Sequence, residues 1–196
     1  MKRLCVYCGS SPGSLPSYLE AARQLGRLMA RQGLDLVYGG GNVGMMGELA
    51  QSVLDHGGHV IGVIPRDLVQ REVAHTGLSD LRVVDSMHER KALMAELSDG
   101  FIALPGGIGT LEELLEVLTW AQLGLHRKPC GLLNVSGYFQ QLMAFLDHLV
   151  DQRFLHPAHR AMLLSAERAE DLLTAFEAYA PLIVDKAAWA LAKGQP

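Results

Sequence analysis

Arg90 and Glu113 are the residues of this sequence whose placement asks for a chemical explanation. On the helical stretch Met87 to Leu97, Arg90 falls between Met87, Leu93, Met94 and Leu97 on the wheel. An arginine centred on an apolar arc must snorkel to water or meet an anion, because an unpaired buried charge is strongly destabilising. A phosphate, or a carboxylate such as Glu113, meets that need; a purely structural ion pair is the plainer alternative. Glu113 lies on a helix whose Leu111, Leu114, Leu115 and Leu118 form one stripe at i, i+3, i+4, i+7. It points nearly opposite that stripe, on the side of Val117 and Trp120. A helix apolar on two faces is buried on both, or covers a ligand or a second subunit. The local alternative is a capping box over Thr110-Leu111-Glu112-Glu113, with Thr110 as N-cap and Glu113 reaching back. One carboxylate can serve both ends, and both readings stay open at this point.

Two glycine clusters can bring a ligand to such residues. Pro105-Gly106-Gly107-Ile108-Gly109-Thr110 leads from a strand into a helix. Its glycines let backbone N–H groups approach an anion, and a helix N-terminus favours negative charge. No Gly-Lys-Ser/Thr follows, so this is not a Walker loop, and a monophosphate suits it better than ATP hydrolysis does. The other cluster, Gly39-Gly40-Gly41-Asn42-Val43-Gly44, formally matches G-x-G-x-x-G. The next strand ends Val63-Ile64-Pro65, with no acidic residue for a ribose hydroxyl, so a dinucleotide lacks its second anchor. Ser10, Gly40 and Gly41 are further positions for nucleotide contacts; turns and close helix–sheet packing would use them equally well.

The elements that must position these residues alternate between strand and helix. Strands are expected at Arg3 to Cys8, Leu34 to Tyr38, His59 to Ile64, Leu81 to Val84, Phe101 to Leu104 and Cys130 to Leu133, the last clear one. Helices are expected at Tyr18 to Gln32, Met45 to Asp55, Met87 to Leu97, Thr110 to about Leu123, Phe139 to Val150 and Glu170 to Tyr179. Residues 66–80 read as loop, and no element is assigned after Pro181. Nearly continuous apolar strands alternating with helices predict a Rossmann-like, doubly wound α/β fold, with a parallel sheet covered on both faces. Ligands in such sheets sit beyond the carboxyl ends of the strands, where both glycine loops fall. The 196 residues, 49% hydrophobic, fit one domain over 1–196.

A formal net charge of −4 argues against binding long nucleic acid. No apolar run reaches the length of a signal core or a membrane span. Three cysteines do not make a disulfide framework, and the expectation is a protein of the cytoplasm. Cys5 and Cys8 form a C-x-x-C on a strand without a second pair, and the histidines show no metal spacing, so neither metal nor cofactor is expected.

Together these segments resemble the LONELY GUY (LOG) family of cytokinin riboside 5′-monophosphate phosphoribohydrolases, long labelled lysine decarboxylases. Pro105 to Glu113 matches the family's PGGxGTxxE signature. The resemblance extends over nearly the whole chain. It includes Cys8-Gly9-Ser10-Ser11, Val37-Tyr38-Gly39-Gly40-Gly41, Val60 to Pro65, Met87-His88-Glu89-Arg90-Lys91 and Thr119 to Gly124. It implies that Arg90 and Glu113 are the catalytic pair and that Arg90 and Lys91 contact substrate. It further implies that Gly106, Gly107, Ile108, Gly109, Thr110, Leu111, Glu112 and Glu113 hold phosphate and ribose, and that Glu72 and Thr119 add contacts. Family members are homodimers with sites near the subunit interface. The implied reaction is hydrolysis of the N-glycosidic bond of an adenosine-type 5′-monophosphate, with or without an N6 substituent, to free base and ribose 5-phosphate. The rivals are a pyridoxal-phosphate decarboxylase, for which Lys91 is the one plausible lysine, and a non-catalytic nucleotide or cofactor carrier of the same fold.

Overall fold

Along β1 (Arg3–Tyr7) and into Cys8 the side chains sort alternately to two faces: Leu4, Val6 and Cys8 enter one apolar cluster, Cys5 and Tyr7 the other. Both faces are apolar because both are covered, as a parallel sheet requires. The computed structural model describes residues 1–69, 74–75 and 77–181. The remaining strands are β2 (Asp35–Tyr38), β3 (Val60–Pro65), β4 (Asp80–Val84), β5 (Gly100–Ala103), β6 (Cys130–Leu133) and β7 (Leu163–Ala166). The helices are α1 (Pro16–Arg31), α2 (Gly44–Asp55), α3 (Met87–Leu97), α4 (Ile108–Gln122), α5 (Gln140–Asp151), the short α6 (Pro157–Arg160) and α7 (Ala169–Glu177).

The seven strands pair in parallel in the order β4-β3-β2-β1-β5-β6-β7. Leu25 of α1, Leu49 of α2 and Leu172 of α7 pack with Leu4, Val6 and Leu36 on one face. Met94 of α3, Leu114 of α4 and Leu146 of α5 pack with Cys5, Tyr7 and Phe101 on the other. The chain therefore leaves β1 for one face and β5 for the opposite face, although the two strands are neighbours. That divergence opens a crevice at their carboxyl ends, the topological switch point of a doubly wound sheet.

The Rossmann-like fold expected from the sequence is the fold observed, with three differences. The strand β7 and the helix α6 follow the strand expected to be last. Leu163-Leu164-Ser165-Ala166 is a four-residue edge strand without β-branched residues, so it carries little strand signal. The third difference bears on the site. Helix α4 begins at Ile108, with extended Gly107 as its N-cap, so Thr110 is the third helical residue and not the cap. Glu113 then lies beyond the first turn and is released from the capping role.

Candidate active site

The crevice holds a cavity of about 380 Å³, built from the loop after β1, the start of α4 and one side of α3. The loops after β1 and β5 are tied together: Gly9 N–H donates to the Pro105 carbonyl at 3.1 Å and Leu104 N–H to the Tyr7 carbonyl at 2.9 Å. Their approach depends on Gly106, where a Cβ would collide with the Thr110 hydroxyl and lie 2.8 Å from the Gly9 nitrogen. Gly107, Ile108, Gly109 and Thr110 line the cavity. No side chain caps α4 among the described residues, so the N–H groups of its first turn are available to an anion.

Arg90 enters from α3. The start of that helix is fixed by Ser86, whose hydroxyl accepts from Glu89 N–H at 3.1 Å, while the Glu89 carboxylate accepts from Asp85 N–H at 2.9 Å. One turn on, Arg90 is only 5% exposed, and its Nη2 donates to the Gly39 carbonyl at 3.2 Å. A Cβ at Gly39 would overlap that same Nη2, so the guanidinium lies across bare backbone. Glu113 and Glu112 reach the cavity from α4, Glu113 half-buried and Glu112 exposed. Beneath them the end of β1 is neutral. Burial raises the thiol pKa of Cys8 and of Cys5 and the phenol pKa of Tyr7, and the charge of Glu113 pushes all three further up. The Arg90 charge opposes this at Cys5, so both members of the pair act on the same strand.

Several residues expected at the site stand elsewhere. Lys91 does not line the cavity; its side chain is 11% exposed, and its ammonium donates to Glu112 at 2.6 Å and Glu116 at 3.1 Å. Gly40 and Gly41 are absent from the cavity wall too. The Gly40 carbonyl accepts from His75 N–H at 3.0 Å, and Gly41 bridges to Ala74. Leu111 packs into the apolar layer under α4. Thr119 is exposed and lines a separate groove of about 150 Å³ with Leu149 and Leu155. Glu72 lies outside the described residues. Ser10 does line the cavity, and also a second one of about 300 Å³ on the far side of Gly107, where Gly106, Tyr18, Met45 and Tyr138 form the wall.

Tyr138 was not singled out by the sequence. Its hydroxyl donates to the Gly106 carbonyl at 2.6 Å and so pins the glycine loop. It follows β6, the neighbour of β5, so strand order alone brings it there. Met46, Leu68 and Met87, which complete the main cavity, were likewise missed as wall residues, because apolar side chains read as core.

A switch-point crevice that holds an uncapped helix start, a buried arginine and a carboxylate makes this a Rossmann-like protein with a cavity whose chemistry suits a small anion. The family profile described as "Possible lysine decarboxylase" matches residues 46–176. Cytokinin riboside 5′-monophosphate phosphoribohydrolase LOG7 of Arabidopsis thaliana is 54% identical over 180 residues, covering 92% of this chain and 83% of that protein. The LOG protein of Oryza sativa subsp. japonica with the same activity name is 52% identical over 180 residues, covering 92% and 74%. The chain belongs to the LOG family. Among solved structures, the molybdenum cofactor carrier protein of Chlamydomonas reinhardtii aligns with a TM-score of 0.68 at 21% identity, covering 90% of this chain and 96% of that one. The molybdenum cofactor binding protein of Rippkaea orientalis aligns with a TM-score of 0.66 at 24% identity, covering 91% and 97%. These two likenesses bear on the fold alone.

Proposed function

We propose that this chain hydrolyses the N-glycosidic bond of adenosine-type nucleoside 5′-monophosphates, releasing the free base and ribose 5-phosphate. The observation that carries the reading is the meeting of Arg90, Glu113 and the uncapped start of α4 in one cavity. The 5′-phosphate sits on the N–H groups from Gly107 to Thr110, where the helix field favours its charge. Glu113 steadies the positive charge that develops at C1′ and orients the attacking water, taking its proton as the C1′–O bond forms. Arg90, pre-placed across Gly39, holds the nucleotide and supports departure of the base as the C1′–N bond breaks; the base takes up a proton from solvent, and Glu113 returns to solvent the one it took from the water. Binding of the remote phosphate helps to drive distortion at C1′.

A lysine-based decarboxylation is disfavoured. A Schiff-base lysine must shed its proton, whereas the hydrogen bond that Lys91 donates to the Glu112 carboxylate raises its pKa above the ordinary value. In water labelled with ¹⁸O, the hydrolysis we propose places the label on C1′ of ribose 5-phosphate and leaves the phosphate unlabelled. Label in released inorganic phosphate would mark a phosphatase instead.

The working form in this reading is a cytoplasmic homodimer. Leu115, Leu123, Phe145 and Phe154 are exposed on or just beyond α4 and α5, around the groove that holds Thr119. A second subunit covering that face would bring Thr119 toward the partner's cavity, which Thr119 does not reach within one chain. Light scattering of the wild type should report twice the chain mass, and Phe145→Asp should halve it. A monomeric wild type with full activity contradicts the dimer.

A further inference from the structure

The Gly106–Gly107 peptide lies between the two cavities, and a side chain from outside the glycine loop decides which way it faces. Tyr138 donates its hydroxyl to the Gly106 carbonyl at 2.6 Å. Both residues wall the second cavity, whereas Gly107 lines the second and the main one. Among the described residues no peptide bond is cis, and in a trans peptide the carbonyl and the N–H that follows it point in opposite directions. A Gly106 carbonyl held toward Tyr138 therefore turns the Gly107 N–H away from it, toward the main cavity. We infer that Tyr138 is a positioning residue for anion binding: its hydroxyl latches this peptide so that the Gly107 N–H stays aimed at the 5′-phosphate. This rests on the proposed function, which puts the phosphate at the start of α4.

The peptide needs a latch because it has glycine at both ends. No Cβ resists its rotation about the flanking bonds, and a flipped peptide would present a carbonyl, not an N–H, to an anion. Gly106 admits no stiffer residue, since a Cβ there would collide with the Thr110 hydroxyl. Gly107 is the extended N-cap of α4, and among the described residues no protein acceptor takes its N–H. Tyr138 reaches the loop from a turn after β6 that carries backbone strain. Ser136 stands at φ 52° and Gly137 at φ 73°. A non-glycine residue in that region persists where its surroundings enforce it, and such positions collect at functional sites. Here buried Asn134 spans the turn by accepting from Phe139 N–H at 2.7 Å, and the Tyr138 ring meets Tyr18 and Phe139 edge-on at 5.6 and 5.0 Å. Tyr138 is 42% exposed, so water can serve its hydroxyl and burial does not account for the bond to Gly106.

The test compares the wild type with Tyr138→Phe by the calorimetric Kd of ribose 5-phosphate and of adenosine, and by the ¹⁵N–¹H resonance of Gly107. The variant keeps the ring and its packing and loses only the hydroxyl, so Tm should stay near the wild-type value. The Kd of ribose 5-phosphate should rise about tenfold, the lower end of what one hydrogen bond to a charged group supplies, while that of adenosine is unmoved. The Gly107 resonance should shift on titration with ribose 5-phosphate in the wild type and shift much less in the variant. Failure of the underlying reaction reads separately: a wild type that binds AMP without releasing base refutes the hydrolysis, and the Kd values still report on the latch. An unchanged Kd of ribose 5-phosphate overturns the proposal, as does a wild type that does not bind it. Weaker binding with an undiminished Gly107 shift would put the hydroxyl on the phosphate itself. Equal weakening of adenosine, or a Tm that collapses, would make Tyr138 a support of the fold; each of these overturns the latch.

Discussion

Arg90 is expensive to bury, and the chain meets that cost with backbone as well as charge: the Gly39 carbonyl accepts from a guanidinium that any side chain at position 39 would displace. Gly39→Ala should therefore act as a remote mutation of Arg90. The backbone at Gly39 is not in the left-handed region, so the fold tolerates alanine while the guanidinium must shift. A displacement on the scale of an ångström costs about 100-fold in rate. Kinetics and thermal melting together check this: kcat should fall about that far while Tm stays near wild type. Unchanged kcat would detach Arg90 from the chemistry. At this scale the sequence was half legible. Arg90 stood out because a cation centred on an apolar arc is anomalous within one helix. The partner that accommodates it lies 51 residues away, where only tertiary structure can bring it.

Helices α3 and α4 carry Arg90 and Glu113, the two side chains of the proposed reaction, and Lys91 fastens one helix to the other. Glu112 and Glu116, one turn apart on α4, both accept from its ammonium. In the proposed reaction this makes Lys91 a positioning residue for Arg90, its neighbour on α3, and for Glu113, the neighbour of Glu112. Lys91→Met keeps the stem and removes the clamp. It should lower kcat about tenfold or more while leaving the Kd of ribose 5-phosphate near the wild-type value, because misalignment affects the reacting geometry most. A loss confined to phosphate binding would instead return Lys91 to direct substrate contact. The elements themselves were largely legible, since periodicity distinguishes 3.6 from 2.0 over long runs. The start of α4 was not. Thr110 and Glu113 have the spacing of a capping box, but extended Gly107 starts the helix earlier and leaves its first N–H groups for a ligand. The sequence left the capping box and a ligand role both open, and only the observed start of α4 separates them.

Across the whole molecule, the order of the strands makes the crevice, and the fold class that follows from strand–helix alternation already says at which edge to look. Side-chain placement around that edge was less legible, because Tyr138 reaches the Gly106 carbonyl only through packing between distant segments. The groups supporting the sheet also set a pH limit. His126 offers Nε2 to the Val117 carbonyl at 2.8 Å and accepts from Lys128 N–H on Nδ1 at 3.2 Å, which requires a neutral ring. Burial lowers its pKa below the ordinary value, and the charge of Lys128 adds to that; His75 shifts the same way through burial. As pH falls below about 6.5, the unfolded chain binds protons that these rings refuse in the native state, so stability declines from there downward. Tm should drop between neutral pH and the carboxylate range, and His126→Asn should lose part of that slope. A flat profile would show that the ring is not held neutral.

The measurement that bears most directly on the central claim is base release from AMP and from adenosine by the wild type and by Glu113→Gln. The account predicts release from the monophosphate, little or none from the nucleoside that lacks the clamp, and a loss of about 100- to 10,000-fold in kcat in the variant. Equal rates on AMP and adenosine, or tight binding of AMP without any release, would contradict it and leave a nucleotide carrier in its place.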